Sequence, residues 1–266
     1  MGGFSELTAT AAASLIARRF AGRRALITGG ASGIGFATAS RIIAEGGAVA
    51  VLDRDEAALL RSRSALPLQF AKPCDVRDAD ALEASVDLAA HALDGTIDLL
   101  VNAAGIYRIR PAVELEPAEW DEVLAVNLRG TFLAARAVAK RLIAAGKAGA
   151  IVNLSSIAAL VADAGEPCAH YNASKGGVIA LTRQLAVEWA SHRIRVNAVC
   201  PGLIDTPMLR VMDNPESGTA YVNTFVPLRR LGYPDEVASM IAFLASDESA
   251  YVTGVAIPID GGLTAC

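Results

Sequence analysis

The stretch Arg24-Ala25-Leu26-Ile27-Thr28-Gly29-Gly30-Ala31-Ser32-Gly33-Ile34-Gly35 decides the fold class, because a short apolar run passes through glycines directly into helix-forming sequence. Glycines at such a junction permit a tight turn and let the backbone approach a pyrophosphate, whose charge is favoured at a helix N-terminus. That reading makes Gly29, Ser32, Gly33, Ile34 and Gly35 candidate dinucleotide contacts. Taken alone, the stretch is equally an ordinary glycine-rich turn. Two other motifs are excluded. No Gly-Lys-Ser/Thr ending follows, so it is not a nucleoside-triphosphate loop. Ile34 stands where a nucleophile elbow around Ser32 needs glycine.

The same rhythm of apolar run, loop and helix continues outward. Strands are expected at 24–28, 48–52, 68–71, 97–101, 150–154, 195–200 and 255–259. Helices are expected at 33–45, 56–62, 79–92, 117–145, 169–190 and 234–246. Strands that alternate with helices imply βαβ units and a parallel sheet covered on both faces. The expectation is therefore an α/β fold with a seven-stranded, doubly wound parallel sheet. No linker interrupts the rhythm, so residues 21–266 read as one domain, preceded by an extension over residues 1–20. The extension carries Arg18-Arg19 after its short apolar part, the reverse of a secretory signal. Residues 14–20 fit a short amphipathic helix or a flexible tail equally well.

Composition narrows the function classes. The chain has 266 residues, a formal net charge of −4 and 53% apolar residues. That mild, dispersed charge suits neither nucleic acid nor an anionic membrane surface. Mean hydropathy is +0.39, yet no run approaches 18 uninterrupted apolar residues, so no membrane span is expected. The four cysteines, Cys74, Cys168, Cys200 and Cys266, form no Cys-x-x-Cys pair. With only His91, His170 and His192 beside them, no metal site and no disulfide framework is expected. The simplest compartment is the reducing cytoplasm.

Several residues then carry chemistry. Asp53 ends the second expected strand, 18 residues after Gly35. A carboxylate there accepts hydrogen bonds from a ribose 2′-hydroxyl and repels a 2′-phosphate, which favours NAD over NADP. Arg54 beside it would partly offset the repulsion. Asp75 and Val76 close the third strand near an adenine edge, or Asp75 caps the helix beginning at Ala79. Asn127 lies in helical register with Trp120, Leu124 and Thr131, where an inward amide must find partners or bond its own helix. Ser155 and Ser156 end the fifth strand, where parallel sheets present ligands. Tyr171 and Lys175 stand four residues apart on one helical face. An ammonium near a phenol favours the phenolate, and a pKa lowered by ~2 to 3 units would give an acid–base group usable near neutral pH.

These residues, with Asn102-Ala103-Ala104-Gly105 and Pro201-Gly202, stand in the order and setting of the short-chain dehydrogenases/reductases, which the chain resembles from about residue 20 to residue 263. The resemblance implies a Rossmann-type fold, an NAD(P)-linked alcohol–carbonyl interconversion and a homotetramer. It also implies roles for individual residues. Tyr171 would be the acid–base, Lys175 would hold the nicotinamide ribose, Ser156 would bind the carbonyl oxygen, and Asn127 would hold a water beside Lys175. Asn102, Ala103, Gly105, Pro201 and Gly202 would line the cofactor, and Thr206 with the Ile204 backbone would hold the carboxamide. Two departures stand out. Asn102-Ala103-Ala104-Gly105 replaces the usual Asn-Asn-Ala-Gly, and the interval from Ser156 to Tyr171 is about two residues longer than usual, which keeps Ser155 as a contender and leads us to expect the loop Asp163–His170 to shape the pocket unusually.

The first expectation for function is an NAD-dependent dehydrogenase of an apolar or cyclic secondary alcohol. The alternatives are a reductase of 3-oxoacyl thioesters, with Arg210, Arg229 and Arg230 as its basic contacts, and a non-catalytic NAD-binding regulator. Residues 207–227 are expected to form a mobile lid. Its flanks are apolar (Met208, Leu209, Val211, Met212, Tyr221, Val222, Phe225), and its centre at 213–218 is polar and turn-forming.

Overall fold

The computed structural model describes residues 18–163, 165–209 and 211–265. Among them, seven strands form one sheet: β1 (Arg24–Thr28), β2 (Ala48–Asp53), β3 (Phe70–Pro73), β4 (Leu99–Asn102), β5 (Gly149–Leu154), β6 (Ile194–Pro201) and β7 (Ala256–Ile259). Their order is β3-β2-β1-β4-β5-β6-β7, and every pairing is parallel. The direction of winding reverses between β1 and β4, and ligands bind at the carboxyl ends of such a switch point.

Side chains that alternate along a strand serve opposite faces, and here both faces are dry. Ala25, Ile27, Val49, Val51, Leu99 and Val101 pack on one side. The intervening Leu26, Ala50, Leu52 and Leu100 pack on the other. The first face is covered by α1 (Gly33–Ala44), α2 (Glu56–Ala65) and α8 (Pro234–Ala245). The second lies under α3 (Ala79–Ala92), α5 (Thr131–Ala144) and α6 (Ala169–Trp189). Two-sided burial explains why the strands read as unbroken apolar runs. The remaining helices are α4 (Pro117–Leu124) and α7 (Pro215–Phe225).

Four differences from the sequence expectation are informative. The third strand begins two residues later than expected, because pairing with β2 sets its limits, from Ala50 opposite Phe70 to Asp53 opposite Pro73. Proline is tolerated there because β3 is an edge strand. The fourth strand likewise starts at Leu99 rather than residue 97. The expected single helix over 117–145 is interrupted by a π-helical turn, Ala125–Gly130, between α4 and α5. The polar centre of the expected lid is a helix start: the Asn214 side chain accepts from the Ser217 backbone N–H at 3.2 Å and opens α7.

Residues 1–17 lie outside the described residues, and with them most of the expected extension. Its end belongs to the body. Phe20 is fully buried, its N–H donates to the Glu45 carbonyl at 3.0 Å, and Arg19 pairs with Glu45 at 2.6 Å.

Candidate active site

A cavity of about 1230 Å3 opens along the carboxyl ends of the strands and runs from Asp53 to the lid. Its first half is made by backbone. Gly29 has φ +66°, and a Cβ there would stand 2.5 Å from the Ala104 nitrogen. A Cβ on Gly35 would stand 2.2 Å from the Gly29 carbonyl oxygen. Only glycine lets the β1–α1 turn close against both β4 and its own helix. Ser32, Gly33 and Ile34 line the cavity with them, and Gly33 faces the Thr206 methyl, 3.5 Å from where its Cβ would be. The Asp53 carboxylate accepts from the Ala31 N–H at 3.1 Å and from the Asp55 N–H at 3.1 Å. It is thereby fixed at the end of β2, beside the glycine turn.

Asp75 also lines the cavity, but it does not cap α3; Asp78 does, accepting from the Asp80 and Ala81 N–H groups. Asp75 is instead gripped by Arg77 at 2.6 Å, which holds its carboxyl below the usual range. Val76, Ala103, Gly105, Pro201, Gly202, Ile204 and Thr206 complete this half of the wall.

Asn102 and Asn127 do not line the cavity. Asn102 is buried in a polar ladder across the sheet: its Nδ2 donates to Asn153 Oδ1 at 2.9 Å, and Asn153 Nδ2 donates to Thr182 Oγ1 at 2.9 Å. Asn127 sits in the π turn, fully buried. Its Oδ1 accepts from the Ile106 N–H at 2.8 Å, while its Nδ2 donates to the Ile106 carbonyl at 3.0 Å and to Ser174 Oγ at 3.0 Å. It therefore clamps the loop after β4 to α6 rather than bonding within its own helix. A Cβ on Gly105 would stand 3.3 Å from Asn127 Oδ1 and 3.6 Å from Lys175 Nζ. The asparagine thus supports the same small volume as the lysine.

The two serines face opposite ways. Ser155 Oγ is buried and donates to the Lys175 backbone carbonyl at 2.9 Å. Ser156 Oγ accepts from the Ala158 N–H at 3.2 Å and lies close enough to the Tyr171 phenol to favour its ionised form. Lys175 is buried, donates to the Leu154 carbonyl at 2.8 Å and lies 5.7 Å from the centre of the Tyr171 ring.

The expected lowering of the Tyr171 pKa does not occur. Burial pushes it up to about 12, and the nearby Ser156 hydroxyl only partly opposes that. The same burial lowers Lys175 from 10.5 to about 8. A low-dielectric site disfavours both charged forms, and the ammonium, over the ring face rather than at the hydroxyl, does not reverse this.

Residues 29–264 match a family model described as Enoyl-(Acyl carrier protein) reductase. D-threitol dehydrogenase of Mycolicibacterium smegmatis is 42% identical over 253 residues, covering 92% of this chain and 94% of that protein. Galactitol 2-dehydrogenase (L-tagatose-forming) of Cereibacter sphaeroides is 40% identical over 249 residues, covering 92% and 96%. The crystal structure of levodione reductase superposes with a TM-score of 0.87 at 34% identity, covering 93% of this chain and 99% of that one. The chain belongs to the short-chain dehydrogenase/reductase family.

This dehydrogenase/reductase is thus an oxidoreductase of the secondary alcohol–ketone type that uses an NAD(P) nucleotide. The cavity fits such a cofactor, since the glycine turn leaves room at the α1 N-terminus and the Asp53 carboxylate stands at the strand end next to it. Among the described residues no group of three or more His, Cys, Asp or Glu is placed to hold a metal, and no helix is long and apolar enough to cross a membrane.

The substrate end of the dehydrogenase/reductase cavity is where sequence reasoning missed most. From the segment expected to act as a lid, Met208, Leu209, Val211, Tyr221 and Phe225 line it, whereas Met212 and Val222 do not, Val222 being buried. Asp163, Glu166 and Cys168 line it from the loop expected to shape the pocket, and Tyr107 and Asn172, which the sequence reading does not single out, line it as well. The lengthened interval before Tyr171 was the available signal, because it carries Asp163, Glu166 and Cys168. Of the three arginines proposed as basic contacts, Arg229 lines the cavity, Arg230 is engaged by Glu236 at 2.7 Å, and Arg210 lies outside the described residues. Next to Tyr171, His170 is fully buried with neither ring nitrogen partnered, and burial lowers its pKa.

Proposed function

We propose that this enzyme interconverts a secondary alcohol and its ketone with NAD(H), using Tyr171 as proton donor and acceptor, Ser156 as partner of the reacting oxygen and Lys175 as ribose contact. The observation that carries this reading is that Ser156, Tyr171 and the buried Lys175, whose Nζ lies 5.7 Å from the centre of the Tyr171 ring, line the same cavity as the glycine turn and Asp53. When bound, the nicotinamide supplies the hydride acceptor or donor. The protein's part is electrostatic. An alkoxide forming or collapsing at the substrate carbon needs a proton at the oxygen, and a Tyr171 kept neutral by burial is poised to give one. In the oxidative direction, the nearby Lys175 charge assists the phenolate that must form first. Asn127 keeps the β4 loop and α6 in register, so that Gly105, Tyr171 and Lys175 stay in place.

The choice of NAD over NADP rests on Asp53, whose carboxylate, fixed at the end of β2 beside the glycine turn, would accept from a ribose 2′-hydroxyl and repel a 2′-phosphate. Initial rates on a panel of secondary alcohols and ketones with both nucleotides test these statements together. We expect turnover, and at least about a tenfold preference for NAD(H). Equal use of both nucleotides would show that Arg54 cancels the carboxylate.

A second reading, reduction of 3-oxoacyl thioesters, is favoured by Arg229 at the cavity wall, and the same panel with an acyl thioester decides it. We also propose a homotetramer. Phe132 on α5 and Val187 on α6 are 37% and 78% exposed, and β7 ends the sheet with an unpaired edge. A monomer in light scattering at micromolar concentration would refute it. Buried, unpaired Cys74 and Cys200 support a reducing compartment such as the cytoplasm.

A further inference from the structure

The substrate end of the cavity pairs carboxylates with phenols. Tyr107 lies edge-on to Tyr171, with ring centroids 4.8 Å apart and planes at 71°. Its hydroxyl donates to the Glu166 carboxylate at 2.5 Å. The Arg110 N–H donates to the Pro167 carbonyl at 2.7 Å, which ties the Tyr107 loop to the Glu166 loop. Further out, Tyr221 on α7 donates to Asp163, whose Oδ1 also accepts from the Gly165 N–H at 2.7 Å. Glu166 is half-buried, as is Tyr107. One carboxylate is therefore held by Tyr107 within reach of the ring that edges the catalytic phenol, and it faces the space a substrate must fill.

An ionised carboxylate only accepts hydrogen bonds, at about four lone-pair sites, and Tyr107 takes one of them. Binding a substrate without a second hydroxyl would strip water from the remaining sites and return nothing. An anionic substrate would meet like charge in a partly desolvated pocket. A cationic one would meet Arg229, and because carboxylates and guanidinium groups line the cavity together, a net charge of either sign meets like charge there. The remaining class is neutral and rich in hydroxyl donors.

Resting on the proposed alcohol oxidation, we propose that Glu166, oriented by Tyr107, is a specificity-determining residue that accepts a hydrogen bond from a second substrate hydroxyl, so that the enzyme prefers neutral polyols over secondary alcohols with a single hydroxyl and over hydroxy acids.

The test measures kcat and KM for four- to six-carbon polyols including threitol and galactitol, for butan-2-ol, and for 3-hydroxybutyrate, with NAD and NADP. In the unaltered enzyme the best polyol should exceed butan-2-ol in kcat/KM by at least about tenfold. Glu166→Gln should cut that ratio at least about tenfold, mainly through KM, and should improve 3-hydroxybutyrate relative to the polyol. Tyr107→Phe should move the ratio the same way by a smaller factor. An equal loss on all substrates would assign Glu166 a purely structural role and overturn the proposal, as would an unchanged ratio. Butan-2-ol or 3-hydroxybutyrate preferred by the unaltered enzyme would overturn it alone, leaving the alcohol-oxidation reading intact. No turnover of any alcohol by protein that binds the nucleotide would bring down that reading, and the proposal with it.

Discussion

The two halves of the cavity are built differently. The cofactor half consists of strand ends and a turn whose positions follow from backbone sterics: Gly29, Gly35 and Asp53 stand within the β1–α1–β2 unit or at its ends. The substrate half consists of loops from distant parts of the chain, the segment after β4, the interval 157–168 and the lid, held together by side chains such as Tyr107–Glu166 and Tyr221–Asp163. A scaffold made of backbone tolerates little change but is shared by many enzymes. A wall made of side chains can be altered piece by piece, and specificity belongs there. Mutations in the first half should therefore change nucleotide binding whatever the alcohol, and mutations in the second should change alcohol preference whatever the nucleotide.

The largest effect belongs to the junction of the two halves. Tyr171→Phe should lower kcat by about 10^3-fold or more while the nucleotide still binds, since proton transfer is lost and the cradle is untouched. A variant that keeps a tenth of the turnover would remove Tyr171 from the acid–base role.

Gly35→Ala comes next. Its Cβ would lie 2.2 Å from the Gly29 carbonyl, so the turn must open, at a cost of about 2 to 4 kcal/mol in stability or nucleotide affinity. Calorimetric titration with NAD should show Kd raised at least about tenfold. An unchanged Kd and Tm would show that the turn is not held by that contact.

Lys175 makes a pH prediction. Its pKa is about 8 folded and 10.5 unfolded, so between those values the unfolded chain binds more protons and stability rises with pH. Above about pH 10 the raised Tyr171 acts in the opposite direction, since its folded pKa of about 12 exceeds its unfolded value of 10. Denaturant unfolding at pH 7 to 10 should show the rise, amounting to at most about 3 kcal/mol. Lys175→Met should abolish it together with activity. A wild type whose stability is flat over that range would mean the ammonium is better solvated than its burial implies.

Asp53→Asn should narrow the NAD-over-NADP preference by about tenfold, or roughly 1.4 kcal/mol, without changing the order of alcohols. A changed alcohol order would break the division between the halves.

The smallest effect is expected at the lid. Tyr221→Phe should raise KM for the alcohol by about two- to fivefold, since an exposed phenol–carboxylate bond is worth about 1 kcal/mol or less. Hydrogen exchange of residues 211–225 with and without NAD should show protection gained on binding. Identical exchange would leave a rigid wall.

Most of the fold was legible because burial on both sheet faces writes continuous apolar runs, and helices write a 3.6-residue period; both are local signals. The grouping of Tyr171, Lys175 and the glycine turn was legible for the same reason, since each lies on or beside a regular element. Other features needed non-local contact. The π turn at Ala125–Gly130 aims Asn127 at the Ile106 backbone, and no periodicity announces that. That Ser155 bonds the Lys175 carbonyl while Ser156 lies by the Tyr171 phenol depends on how α6 packs against the end of β5. The sign of the Tyr171 shift was misjudged because spacing puts an ammonium near a phenol, whereas a pKa depends on how much water both have lost.

By itself, then, the sequence determined the order of elements, the parallel sheet, the nucleotide cradle and the candidate acid–base pair, all features set within a few dozen residues of chain. Tertiary structure alone decided that Asn102 belongs to a buried ladder, that Arg19 pairs with Glu45 to close the body, and that Glu166 meets Tyr107, whose ring lies edge-on to Tyr171. Those pairings join residues from 26 to 59 positions apart, through loops with no period of their own, and only the packing of the elements between them brings such residues into contact.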